Sequence, residues 1–353
     1  MIQNLHEVQL KAGAIFEADG STPCSFGNDR HALQAAQSGV ALCDRSHWGL
    51  LKFSGDDRLR YLHNQSTNDF NRLQPGNCCD TVFVTSTGRT LDLATAYVTE
   101  EEILVLVSPN RRQQLMEWLD SFIFPMDWVE LTDSSQENAI FSLIGSESDN
   151  ILKQLGIEEI LGKSAGNHQL VAIESSSVRV AVGSGLAIAG YTLIVPLDKA
   201  AKIWYELTTM GSVPLGDRVW EQLRIQQGRP APDRELTKDY NPLEAGLWRT
   251  ISFEKGCYIG QETIARLNTY KGVKQRLWGV QLKAPVEAGS VIKVEDNKVG
   301  ILTSYTDTEQ GSFGLGYVRT KAGGAGLKVE VGETEGELVS VPFLTHEYYQ
   351  PNN

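Results

Sequence analysis

The chain has 353 residues, a formal net charge of −12, 41% hydrophobic residues and 22% charged residues. Those proportions are of a soluble globular protein, and the length calls for two or three domains. The acidic excess argues against a general nucleic-acid or anionic-membrane binder, no apolar run approaches membrane-spanning length, and Met1 to Gly20 lacks a signal-peptide layout, so the expected location is the cytoplasm.

In chain order, the first clear strand runs from Trp48 to Phe53. Ser54-Gly55-Asp56-Asp57 then offers an N-cap to a short amphipathic helix carrying Leu59, Tyr61 and Leu62. Strands follow at Thr81–Thr85, Leu91–Val98 and Ile103–Val107, and Ser108-Pro109-Asn110 opens a helix from Arg111 to about Phe122. This order predicts an α+β module with a mostly antiparallel sheet. A second module repeats the texture, with strands at Ala139–Ile144, Gln169–Ile173, Val178–Val182 and Tyr191–Val195 and helices over Pro196–Met210 and Leu215–Gln227. Gly228, Pro230 and Pro232 form a strong stop after the last helix. Pro230 to Arg249 reads as an extended polar connection.

From Leu277 onward six short β-type runs alternate with glycine turns: Trp278–Leu282, Ser290–Val294, Val299–Ser304, Ser312–Val318, Leu327–Val331 and Glu337–Phe343. With no helix among them they predict a small barrel. Five cysteines, Cys24, Cys43, Cys78, Cys79 and Cys257, are too sparse for a disulfide framework. The six histidines are scattered and none lies at zinc-ligand spacing from a cysteine pair, so no resident metal is expected.

The densest chemistry lies in Lys255-Gly256-Cys257-Tyr258-Ile259-Gly260-Gln261-Glu262. A strand-like run, Thr250–Phe253, precedes it, and a helix carrying Thr263 to Leu267 follows. A cysteine on a glycine-flanked turn near a helix N-terminus, with a lysine beside it, is placed to favour the thiolate, which is the reactive form. The competing reading is a buried cysteine acting as a small hydrophobe.

These features together resemble the folate-binding YgfZ family, a relative of the glycine cleavage T-protein, which is an aminomethyltransferase. The family signature is complete in Lys255–Glu262. Arg224-Ile225-Gln226-Gln227-Gly228-Arg229-Pro230, Asn241–Leu247, Ile251-Ser252-Phe253, Ala265-Arg266 and Tyr270 with Gly272 also fit. The resemblance is strong from Arg224 to Arg276 and weaker from about Ala41 to Leu119. It implies an α+β fold of three lobes in a ring, two ferredoxin-like α+β lobes and a C-terminal β-barrel. The divisions expected here are 1–50 for the N-terminal part of the first lobe, 51–132 for the second lobe, 133–276 for the remainder of the first with the signature, and 277–353 for the barrel.

The resemblance also implies a bound tetrahydrofolate or other reduced folate, and a role in the synthesis or repair of iron–sulfur client enzymes. Cys257 would be the functional thiol, with Lys255 tuning its charge. Asp92, Arg224 and Tyr270, with Gly256, Gln261 and Glu262 of the signature, would serve the folate. By residue chemistry alone Asp92 is a residue that caps a sheet edge or one that pairs with Arg89, Arg224 a surface arginine, Gln261 and Glu262 helix-start residues, and Tyr270 a half-buried interface aromatic.

Compared with the transferase pattern, Gly88-Arg89-Thr90-Leu91-Asp92 keeps the carboxylate near the reacting folate nitrogen, at Asp92. Leu93 stands where a second aspartate follows, Ile188 where a glutamate lies, and Cys257 is absent from transferases. Aminomethyl transfer is therefore the first rival function. Arg249, Lys255, Arg266, Lys271, Lys274 and Arg276 against Glu254 and Glu262 give six minus two, a local excess of four positive charges. That patch suits the carboxylates of a folate tail. It also leaves open a second rival, an RNA-associated accessory protein of tRNA modification, which the overall charge disfavours.

Overall fold

The computed structural model describes residues 4–18, 20–173, 176–309 and 311–351. The chain divides into two compact units: Met1–Arg58, Leu73–Cys79 and Thr95–Leu223 form the first, and Leu59–Arg72, Asp80–Ala94 and Arg224–Asn353 the second.

The first unit is built on a six-stranded sheet in the order His168–Ile173, Ser176–Val182, Gly190–Pro196, Asn138–Ile144, Ala41–Asp44, Val213–Leu215. Neighbours are antiparallel except the last pair, where Val213–Leu215 runs parallel to Ala41–Cys43. The period of two along a strand explains why the central strands read as unbroken apolar runs. Ala139, Phe141 and Leu143 enter one core with Val178, Val180, Leu193 and Val195, while Ile140 and Ile144 enter another with Ala181 and Ile194. Helices Leu5–Lys11, Ser148–Gln154 and Ala200–Thr209 cover the first face through Val8, Ile151, Leu152, Ile203, Trp204 and Leu207.

The second face packs on Ala32, Ala35 and Ala36 of helix Asp29–Ser38 and on Val219, Trp220 and Leu223 of helix Asp217–Gln227. Both sets follow the three- and four-residue spacing of a helical stripe. Beyond them the same core takes in Leu50, Tyr97, Leu104 and Leu106, from antiparallel strands Gly49–Ser54, Thr90–Val98 and Glu102–Val107. Sequence reading overlooked helices Leu5–Lys11, Asp29–Ser38 and Ser148–Gln154. The first and last span seven residues each, and Asp29–Ser38 buries alanines rather than large apolar side chains, so none carries a strong periodic signal.

One polar group in this unit has a pH signature. The Thr22 hydroxyl donates to Asp217 at 2.8 Å and lies 3.1 Å from His47 Nδ1. Burial pushes the Asp217 carboxyl up to about 6, with Glu17 and Glu221 adding to the rise. Between roughly pH 4 and 6 the folded state therefore holds a proton that the unfolded chain has released, and this group's contribution to stability falls as pH rises through that window. His47, held down to about 4 by burial, acts in the opposite sense and costs stability as pH falls below about 6.5. At pH 8 the imidazole is neutral in both states. There Asp217→Asn, which keeps an acceptor for Thr22, is expected to raise urea stability by about 1–2 kcal/mol. Equal stability of the two proteins at pH 8 would refute this.

In the second unit the barrel expected at the C-terminal end is present. It closes in the order Gln275–Leu282, Gly311–Arg319, Asn297–Thr308, Val291–Val294, Lys328–Val331, Thr334–Val339. Its last strand is Thr334–Val339 rather than Glu337–Phe343, because Leu282 to Gly279 pair with Gly336 to Val339 and no further. Val280, Ile292, Leu302, Val318, Val331 and Leu338 form one core. The alternate positions Leu277, Phe313, Leu315 and Tyr317 join a second core with Leu243, Leu247, Ile251, Tyr258 and Ile264, so the signature segment packs on the outer side of barrel strands. The stop signal after the helix is also realised. Helix Asp217–Gln227 ends at Gly228, whose φ is +83° and whose Cβ, if it had one, would lie 2.3 Å from Val341.

Candidate functional site

The signature lies in the second unit, and its entry is not a strand. A single 3₁₀ turn, Trp248–Thr250, leads into irregular backbone. Its polar groups are met by one loop residue instead of a ladder: Thr67 Oγ1 donates to Thr250 O at 2.8 Å, and Ser252 N donates to Thr67 O at 3.0 Å. Trp248 and Phe253 stack 6.0 Å apart, which pins the segment from the apolar side.

Lys255 is then turned inward. It is buried, and Nζ donates to the carbonyls of His63, of Ser66 at 2.8 Å and of Asn68 at 2.6 Å. These belong to the end of helix Arg58–Gln65 and the turn behind it. The ammonium also lies 4.8 Å from the centre of the Tyr258 ring. The ammonium keeps its charge while its three carbonyl contacts clamp the signature onto that helix. A second tie, Ile259 N to Asn64 O at 3.0 Å, fixes the other side of the turn.

Between these anchors Gly256 and Cys257 are exposed. Cys24, Cys43 and Cys78 are buried and Cys79 is intermediate, so Cys257 is the exposed thiol of the five. Tyr258, next in sequence, is buried, and burial pushes its phenol up. The helix expected after the motif runs Gln261–Thr269 from a left-handed cap at Gly260, φ +81°. A Cβ on Gly260 would lie 2.6 Å from Thr85 O, so the hairpin turn Thr85–Arg89 and the helix cap can meet because no side chain intervenes. Gln261 reaches back, its Nε2 donating to Gly256 O at 3.4 Å. Glu262 is exposed in the first turn, where a carboxylate complements the positive helix end.

Asp92 lies on strand Thr90–Val98 and is fully buried. It is no sheet-edge partner for Arg89, which instead donates to Asp239 O at 2.9 Å and lies 3.7 Å from Glu244. Arg224 is not a surface arginine: it is buried and paired with Glu235 at 3.0 Å, with Nη2 donating to Ser304 at 2.9 Å. A guanidinium committed in this way is poorly placed to seize a ligand carboxylate. Tyr270, at the C-terminal cap of the signature helix, is 78% exposed rather than half-buried. Of the six cations in the basic stretch, Arg249, Arg266, Lys271 and Lys274 are exposed. Lys255 and Arg276 are turned to backbone carbonyls, the latter to that of His346.

Residues that sequence reading did not single out surround the signature turn. His63 Nδ1 lies 3.1 Å from Asp69, Asp69 lies 3.2 Å from Arg72, and Arg72 reaches Glu254 at 3.6 Å. Nothing in their spacing to Cys257 marks them; the fold alone brings them together. Among the described residues no group of three or more His, Cys, Asp or Glu is placed to hold a metal ion, and no helix is long and apolar enough to cross a membrane.

An α+β body that ends in a closed six-stranded barrel is the aminomethyltransferase fold. Over 99% of this chain and all of the other, it superposes on the glycine cleavage system aminomethyltransferase T of Bartonella henselae with a TM-score of 0.85 at 19% identity. The GCVT N-terminal domain model matches residues 5–255, and the chain belongs to that family. It is 46% identical, over 98% of its length and 80% of the relative, to a chloroplastic protein of Arabidopsis thaliana named as a transferase. It is 25% identical to the aminomethyltransferase of Halothermothrix orenii, over 96% of this chain and 99% of that one. The aminomethyltransferase of Synechococcus elongatus is 26% identical, with 98% and 95% covered.

Proposed function

We propose that this protein is a folate-binding accessory factor of the YgfZ type that supports iron–sulfur enzymes through the thiol of Cys257. The observation that carries the reading is the exposure of Cys257 on a turn clamped at both sides, by Lys255 and by the Ile259–Asn64 hydrogen bond, while three of the other cysteines are buried. A thiol held rigidly in solvent is suited to chemistry on another molecule rather than to packing. Family membership supports a reduced folate as the ligand. Asp92, buried and acidic, is the acceptor we assign to a pterin N–H, and exposed Arg249, Arg266, Lys271 and Lys274 offer charge to the tail carboxylates. Tyr270, Gly256, Gln261 and Glu262 remain assigned to the same ligand. Arg224 is the weakest member of that set, because Glu235 already holds it.

The partners we assign are iron–sulfur clients, and the location is the cytoplasm, a reducing compartment in keeping with five free cysteines. The rival reading, aminomethyl transfer, is favoured by the names of the relatives and by Asp92, and disfavoured by Leu93 and Ile188 at the positions of two acids in the transferase pattern. Tetrahydrofolate is expected to raise the melting temperature of the purified protein saturably, and Asp92→Asn to weaken that shift about tenfold in folate concentration, the loss of one charged hydrogen bond. No saturable shift at millimolar folate would defeat the folate assignment.

A further inference from the structure

We infer that the loop 124–128 of the first unit is a docking surface for a basic, amphipathic segment of a partner protein. This goes beyond the folate and thiol readings and rests on neither. Scattered exposed apolar side chains are normal on a protein surface, whereas clustered ones mark contact sites. Here Phe124, Met126 and Trp128 are 58%, 78% and 71% exposed within one short loop. The loop is not loose. Phe124 N donates to Asp127 Oδ2 and Asp127 N to Phe124 O, both at 2.9 Å, which closes a tight turn with Pro125 and Met126 at its corners. One residue then holds Trp128 through both of its backbone groups: Trp128 N donates to Asp57 Oδ2 at 3.0 Å, and Asp57 N donates to Trp128 O at 3.1 Å. A Cβ on Gly55 would lie 2.2 Å from Trp128 O, so a glycine is what allows that close approach. The backbone is satisfied and fixed while three large apolar side chains face water, the arrangement of a preorganised binding surface.

Charge selects the occupant. Residues 113–138 carry six carboxylates, Glu117, Asp120, Asp127, Glu130, Asp133 and Glu137, and no lysine, arginine or histidine. Asp133 is paired with Arg112 at 3.5 Å, while Glu117, Asp120 and Glu130 are exposed. On the turn that holds Trp128, Asp56 is exposed as well, and Arg58 turns its guanidinium to the carbonyls of Gly55 at 3.0 Å and Glu100 at 2.6 Å. An apolar patch in an acidic field repels anionic lipid and suits a segment whose apolar residues are flanked by Lys or Arg. A second copy of this chain is disfavoured, because a two-fold contact through the loop would set carboxylates against carboxylates. Trp128 offers a ring face to a partner's cation, and Met126 an unbranched side chain that adapts to different apolar anchors. The occupant that meets these demands is a helix with one apolar face and basic flanks.

The test is the fluorescence anisotropy of a labelled synthetic helical peptide of leucine and lysine in amphipathic order, titrated with the purified full chain. A peptide of the same composition in scrambled order, and one with glutamate in place of lysine, are the controls. The native protein is expected to bind the first saturably and neither control, with an affinity that falls as salt is added. Trp128→Ser should weaken binding about tenfold, since a few large aromatic residues carry most of the energy of such contacts. Asp120→Asn combined with Glu130→Gln should weaken it several-fold. Glu287→Gln combined with Glu333→Gln removes the same charge from exposed barrel loops and should leave it unchanged. If Trp128→Ser does not fold, as judged by circular dichroism, Met126→Ser takes its place. No saturable binding up to about 100 μM protein would overturn the proposal. Equal loss in the two double variants, or equal binding of the scrambled peptide, would overturn it as general attraction to an acidic protein. A native dimer that Trp128→Ser converts to a monomer, seen by sedimentation, would give the loop to a second copy and overturn it too. Neither folate nor Cys257 enters the assay, so its outcome is separate from that of the proposed function.

Discussion

Arg224→Met is expected to destabilise the protein by about 3–5 kcal/mol, the cost of leaving one member of a buried ion pair uncompensated. Arg224 and Glu235 side chains are 4% and 0% exposed and 3.0 Å apart. Glu235 also accepts from Thr303 and Ser304 at 2.6 Å each and from Ala231 N at 3.0 Å. These donors soften the loss, which places the expected value toward the lower end of the range. The pair ties the end of helix Asp217–Gln227 to barrel strand Asn297–Thr308, so urea unfolding should show an earlier midpoint with an unchanged slope. Arg224→Lys keeps the charge and loses the second donor to Ser304, and should recover roughly half of the stability. A variant that keeps native stability but loses folate binding would return Arg224 to the ligand pocket and remove the structural role.

The second large effect concerns the thiol. In cells lacking the native protein, Cys257→Ala is expected to abolish restoration of iron–sulfur enzyme activity while the purified variant melts within a degree or two of the parent. Removing one sulfur from an exposed turn leaves no buried cavity, and surface changes of that kind fall within about 0.5 kcal/mol. Loss of the nucleophile removes its chemistry outright. Asp92→Asn should be milder in the same assay, since Leu93 and Ile188 already leave the transferase acids incomplete. Full restoration by Cys257→Ala together with complete loss in Asp92→Asn would shift the chemistry to the folate and make aminomethyl transfer the better reading.

Much of the architecture was legible because its signals are local. Asn138–Ile144 and Gly190–Pro196 are apolar on both faces, as strands between two layers must be, and they were found within a residue or two. Gly228 with the prolines behind it marked the end of helix Asp217–Gln227. The glycine-punctuated runs after residue 277 announced the barrel. Where reading failed, the local signal was weak or misleading. Helix Asp29–Ser38 owes its place to three alanines that fit close against the sheet, and alanine carries little hydrophobic periodicity. Thr250–Phe253 has strand-like composition but finds its partners in Thr67 and a stack of rings, a choice made by residues far away in sequence.

The same division runs through the site. The eight residues Lys255–Glu262 by themselves determined that a cysteine sits on a glycine-bounded turn ahead of a helix, because glycine permits left-handed backbone and a cap needs it. Tertiary structure decided what each neighbour does. Lys255 points inward because three carbonyls at the end of another helix need a donor and the turn brings one within reach. Arg224 is bound to Glu235 because folding buries both, and a buried charge must find its counter-ion. His63 faces the Gly256 backbone although 193 positions separate them in the chain, a juxtaposition that spacing along a sequence does not encode and that packing alone creates.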